Sequence, residues 1–138
     1  MRYKFIEDLV SDVMFEAYGK DLAELLQNAG LALFSVVCQI DKIKPKKSIK
    51  LKVKGKDEGD LLFTFLTTLL SEAELKELFL CKFDVKIKKN KGYIAEITAY
   101  GEPISTAKGE TVVKGVTYYK FKVEKIKKGY KARVACDI

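Results

Sequence analysis

Residues 49–55 read "IKLKVKG", and this short stretch decides the fold class. Ile49, Leu51 and Val53 alternate with Lys50, Lys52 and Lys54, a period of two. That pattern predicts a β-strand with one dry face and one wet face. A dry face needs an apolar layer against it, and the flanking segments offer two. Upstream, "DLAELLQNAGLALFSVVCQ" (21–39) opens with Asp21 followed three residues on by Glu24, a capping box. Leu22, Leu25, Leu26, Ala29, Leu33 and Val37 then fall on one helical face. Downstream, "KDEGDLLFTFLTTLLSEAELKELFL" (56–80) predicts a second amphipathic helix. It starts near Asp57 or Asp60, runs through Leu70 and turns Phe63, Leu66, Leu69 and Leu70 to one side, with a short separate helical turn around "EAELKEL".

Further out, extended pieces recur. "YKFIEDLVSDVMFEAYG" (3–19) sets Val13, Phe15 and Ala17 against Met14, Glu16 and Tyr18 and stops at Gly19. "CKFDVKIKKNKGYIAEITAYG" (81–101) predicts a hairpin turning at Asn90, Lys91 and Gly92. After an irregular "EPISTAKGET", residues 116–138 predict a last long hairpin turning at Lys128 and Gly129. The expected fold class is therefore α+β: a largely antiparallel sheet with two main helices packed on one face, in one domain spanning residues 1–138. No Pro/Gly/Ser-rich linker divides the chain, and no solenoid period repeats.

Composition narrows the chemistry. The 138 residues carry a formal net charge of +7, include three cysteines and contain no histidine. The missing imidazole excludes Ser-His-Asp and Cys-His nucleophilic machinery and the usual zinc sites. Any bound metal must be held mainly by oxygen, which selects a hard cation. Cys38, Cys81 and Cys136 are far apart, odd in number and set in apolar stretches, as buried free thiols are. Apart from Arg2 and Arg133 the cations are lysines. Bidentate phosphate recognition favours arginine, so charge alone points only weakly to nucleic acid. No apolar run is long enough to span a membrane, and the polar start does not read as a secretory signal, so a soluble, cytoplasmic protein is expected.

One oddity remains. This basic chain ends "RVACDI", with Asp137 beside the terminal carboxylate of Ile138. A second carboxylate, Asp12, sits where an alternating strand begins. If the first and last strands neighbour each other, three carboxylates converge, and their repulsion would be relieved by a cation. A frayed, solvated chain end is the alternative. Lys114, before Gly115 in "VVKGVTYYKF", would bind a phosphate or tie down the acidic groups, or would be an ordinary edge lysine.

The order of "SDVMFEAYG", the capped helix, "LLFTFLTTLL", "VVKGVTYYKF" and the final "DI" resembles the archease family along essentially the whole chain. That resemblance implies a small cytosolic α+β protein that activates the RtcB-type tRNA-splicing ligase. It implies promotion of ligase guanylylation, multiple turnover and broader nucleoside triphosphate use in tRNA processing, with no stand-alone catalysis. It also implies a metal site formed by Asp12, Asp137 and Ile138, usually assigned to calcium (magnesium or manganese being alternatives), and an important lysine at Lys114. The partner implied is the ligase, with tRNA engaged through it; there is no membrane partner, and self-association is undetermined. The chain departs from the family pattern in histidines: Leu9 and Val10 replace a histidine and a threonine near the first aspartate, Tyr118-Tyr119 replaces a tyrosine-histidine pair, and a histidine is missing near Gly109. Two other readings compete: a lysine-rich RNA-binding or chaperone-like module acting without the ligase, and a metal-dependent hydrolase using the same carboxylates.

Overall fold

The computed structural model describes residues 1–7 and 12–138. Its elements run β1 (Tyr3–Ile6), β2 (Asp12–Gly19), α1 (Leu22–Val37), β3 (Lys47–Gly55), α2 (Glu58–Leu75), β4 (Leu78–Lys89), β5 (Tyr93–Pro103), β6 (Gly115–Ile126) and β7 (Gly129–Asp137). A single 3₁₀ turn, Ile40–Lys42, lies between α1 and β3. The α+β expectation holds, with the strands divided between two sheets. One is four-stranded, in the order β1-β2-β7-β6; the other is three-stranded, in the order β3-β5-β4. Every strand pairing is antiparallel.

Both helices begin on aspartate caps. The Asp21 carboxylate accepts from the Glu24 amide at 2.9 Å, and Glu24 accepts in return from the Lys20 amide at 3.0 Å. Asp57 accepts from the Asp60 amide at 2.8 Å. These bonds satisfy amides that have no partner in a first helical turn. Helix α2 does not stop at Leu70. It continues unbroken to Leu75, absorbing the separate turn expected around "EAELKEL".

Helix α1 packs on β2 and β4, and α2 on β3 and β6. Phe15, Phe34, Phe65, Leu26, Leu66 and Ile97 are essentially sealed from solvent between the layers. Close packing starts at Gly19, where a Cβ would lie 2.2 Å from the Leu25 amide nitrogen. Only glycine lets β2 run so closely into the first turns of α1.

The two hairpins turn where expected, at Asn90–Gly92 and next to Gly129. The second is not one uninterrupted ladder. Pairing between β6 and β7 shifts between Thr117 and Lys122, throwing out Tyr118–Phe121 as a bulge with Lys120 at φ 50°. Tyr118 lands on Phe63 of α2 with ring centroids 3.8 Å apart and planes 4° from parallel. Phe63 is thus half-exposed and aromatic-stacked rather than a core residue of α2.

Candidate cation site at one end of the central strands of the four-stranded sheet

The first and last long strands of the chain are neighbours. In the β2–β7 register Asp12 stands directly opposite Asp137, followed by Val13 opposite Cys136 and Phe15 opposite Val134. Directly opposed residues of an antiparallel pair share a face, with Cβ atoms about 4.5–5.5 Å apart. Asp12 and Asp137 therefore project to the same side, away from the core face that Phe15, Val134 and Cys136 define. Asp12 is half-buried and Asp137 exposed.

On the other flank of Asp137 stands Gly115, its partner in β6. A Cβ at Gly115 would meet nothing within 4 Å, so the row Asp12–Asp137–Gly115 opens onto free space beside the second carboxylate. The Lys114 amide donates to the Asp137 carbonyl at 2.7 Å, pinning the end of β7 to the start of β6. The Lys114 side chain is exposed, and Ile138, the next residue after the strand, is 37% exposed.

Two like charges directly opposed in a sheet repel. Among the described residues neither Asp12 nor Asp137 has a lysine or arginine in ion-pair contact. Next door, burial first and the Asp12 charge second push the Cys136 thiol up to about 12. Among the described residues no three histidine, cysteine, aspartate or glutamate side chains gather around one point. The side chains alone thus supply two carboxylates. This all-oxygen set fits a hard cation completed by water, and does not fit zinc or copper. Leu9 and Val10, where the chain departs from the archease pattern, lie outside the described residues.

Sequence reasoning did not find the cleft beside this strand end. A cavity of about 680 Å³ lies between α2, the end of α1 and the 104–116 segment, lined by Phe34, Val37, Phe63, Leu70, Phe79, Lys114 and Val116 among others. The segment that closes it is tethered by Glu102, which is buried and accepts from Lys108 Nζ at 2.7 Å and from the Lys44 amide at 3.2 Å. The hydrogen bond from Lys108 is the main cause holding the Glu102 carboxyl below its ordinary range. Nothing in the irregular "EPISTAKGET" marked this tether. The three cysteines are free, as expected, but only Cys38 and Cys136 are buried; Cys81 is half-exposed. Burial raises Cys38 to about 12, so the thiol is inert rather than a nucleophile.

Comparison with known proteins gives a consistent picture. The model of the Archease protein family matches residues 3–138. Protein archease of Pyrococcus abyssi is 35% identical over 132 residues, covering 93% of each chain. Protein archease of Archaeoglobus fulgidus is 33% identical over 139 residues, covering all of both. The solution structure of Methanobacterium thermoautotrophicum protein 1598 superposes with a TM-score of 0.86 at 31% identity, covering 99% of this chain and 98% of that one. A Thermotoga maritima crystal structure, described as an archease and possible chaperone, has a TM-score of 0.65 at 18% identity over 96% of this chain and 98% of that one, a likeness of fold.

Proposed function

Because the chain belongs to the archease family, we propose that it is a non-catalytic activator of an RtcB-type tRNA-splicing ligase. It promotes guanylylation of the ligase, sustains multiple turnover and widens the range of nucleoside triphosphates the ligase accepts. It meets tRNA through that partner. The supporting observation is the opposition of Asp12 and Asp137 at one end of the two central strands, with Lys114 bonded to the same strand end.

Asp12, Asp137 and the Ile138 carboxylate would hold a hard divalent cation, calcium or else magnesium or manganese. Such an ion, when bound, supplies positive charge next to a triphosphate. The protein's own part is positioning. Two paired strands fix the carboxylates, so no ordering entropy is spent at the moment of contact. The bare Gly115 leaves the partner room to approach. Lys114, exposed beside this strand end, is a point charge suited to a phosphate oxygen.

The experiment is single-turnover nucleotidyl transfer to the ligase and multiple-turnover RNA joining, with this protein substoichiometric. Asp12→Ala and Asp137→Ala are each expected to lower the stimulation by about tenfold or more, as loss of a positioning group does. Full stimulation by both variants would remove this pair of aspartates from the mechanism.

A further inference from the structure

The outer face of the three-stranded sheet carries six exposed lysines: Lys50, Lys52 and Lys54 from β3, and Lys82, Lys86 and Lys88 from β4. Both strands are edges, with β5 between them, and the register sets Lys52 and Lys86 on either side of Glu96, and Lys54 and Lys88 on either side of Ile94. Beside these lysines the face carries two exposed carboxylates, Asp84 and Glu96; a third in phase with them, Glu102 at the far end of β5, is buried and paired with Lys46 and Lys108. Glu96 reaches Lys88 at 4.0 Å, and Asp84 is engaged by the Tyr100 hydroxyl. Among the described residues, Lys50, Lys52, Lys54 and Lys86 form no ion pair.

Some lysines elsewhere in the protein are drawn onto carboxylates instead. Lys4 and Lys131 converge on Glu16, Lys46 and Lys108 on Glu102, and Lys122 on Glu124. Edge lysines do protect a sheet against strand addition. That role asks for a charge or two on each edge, not for three in phase on both.

The spacing is regular. Alternate residues of a strand repeat about every 6.6–6.8 Å, and the two lysine rows stand about 10 Å apart across the middle strand. A lattice of unpaired point charges matches a polymer with a charge at every repeat. Lys82 also lies over the Tyr100 ring at 5.1 Å, adding one flat aromatic surface at the end of the face. Among the described residues no large apolar side chain is exposed on it, as insertion into a lipid surface would require.

We propose that this face binds the phosphodiester backbone of nucleic acid without reading its sequence. Lysine ammonium groups contact phosphates as point charges, and backbone contacts of that kind position a strand but carry no base information. The proposal does not rest on the ligase reading, and its test contains no ligase.

The test is fluorescence anisotropy of a labelled single-stranded RNA, and of the DNA of matching sequence, against the full chain at several salt concentrations. Four to six phosphate contacts predict that log K falls with log salt at a slope of about −3 to −4. Lys50→Gln/Lys52→Gln/Lys86→Gln is expected to weaken binding at least tenfold and to make the slope shallower by about 2. Lys125→Gln/Lys127→Gln/Lys128→Gln, at the β6–β7 turn, removes the same charge from elsewhere and is expected to change affinity less than about twofold. Matching circular dichroism and melting curves show that both variants fold. Tighter binding of RNA than DNA would add contacts to the ribose; equal binding confines recognition to phosphate, and either supports the proposal. It is overturned if neither nucleic acid binds at low salt, if both triple variants weaken binding equally, or if polyglutamate competes as well as RNA.

Discussion

The two sheets of this small fold use the same antiparallel pairing and treat their outer faces in opposite ways. Along most of the three-stranded sheet, beyond the buried run Leu78–Leu80 that opens β4 and the buried pair Gly101–Glu102 near the end of β5, burial follows the alternation: Ile49, Val53, Val85, Ala95 and Ile97 are buried while the charged side chains between them are exposed. In the four-stranded sheet, Met14, Phe15, Glu16 and Ala17 are buried in succession along β2, as are Val134, Ala135 and Cys136 along β7. The expected wet side of β2, Met14 and Glu16, is therefore mostly covered. Glu16 lies under its own partners, accepting from the Tyr18 hydroxyl at 2.9 Å and facing Lys131 at 3.3 Å and Lys4 at 3.5 Å. Polarity marks a face only where that face is left to water. Once charged side chains close over one another, a glutamate can be as buried as a methionine.

That contrast can be broken in three places. Truncation in the sealed sheet has the largest effect: Phe15→Ala is expected to cost about 3–5 kcal/mol of unfolding free energy by urea titration, the usual range for a fully buried phenylalanine. A much smaller loss would mean that β2 is loosely held. The second is the buried glutamate. Burial alone would raise the Glu16 carboxyl, but the Tyr18 hydroxyl, Lys131 and Lys4 together outweigh it and hold it below the ordinary value. Its stabilisation is then complete above the unfolded carboxylate pKa and is lost as pH falls through the lower folded value. Glu16→Gln should remove that acid-side loss from a plot of urea midpoint against pH between neutrality and about pH 2. Identical curves for the two proteins would show that the ion cluster is merely decorative.

The smallest effect is at the acidic strand ends, and its sign is unusual. Without divalent cations Asp137→Asn is expected to stabilise the fold by about 0.2–1 kcal/mol, since it removes one of two directly opposed like charges. Adding calcium should raise the melting temperature of the unmodified protein and leave that of Asp137→Asn unchanged. Equal responses would place the ion elsewhere.

Much of the architecture was legible because local rules decide it. Asp21 with Glu24, and Asp57 with Asp60, signal helix starts through amides that need partners in any context. The lysine alternation of β3 and β4 and the turns at Gly92 and Gly129 are likewise properties of short segments. The division into two sheets was not legible, because strand partners lie far apart in sequence and alternation does not name them. Nor was the Tyr118–Phe121 bulge, whose aromatics read as ordinary strand residues until Phe63 is seen beneath them. Helix α2 passed its expected end because Ala73 still finds the core.

By itself, then, the sequence determined which segments curl and which extend, since capping, periodicity and turn chemistry act within a few residues. It also determined that any ion bound here meets oxygen rather than imidazole, because the chain has no histidine. Only the tertiary structure decided that Asp12 faces Asp137 across a strand pair while Gly115 leaves the far side open. That meeting spans nearly the full length of the chain, and it depends on which strands pair and in what register, which burial of the whole core selects.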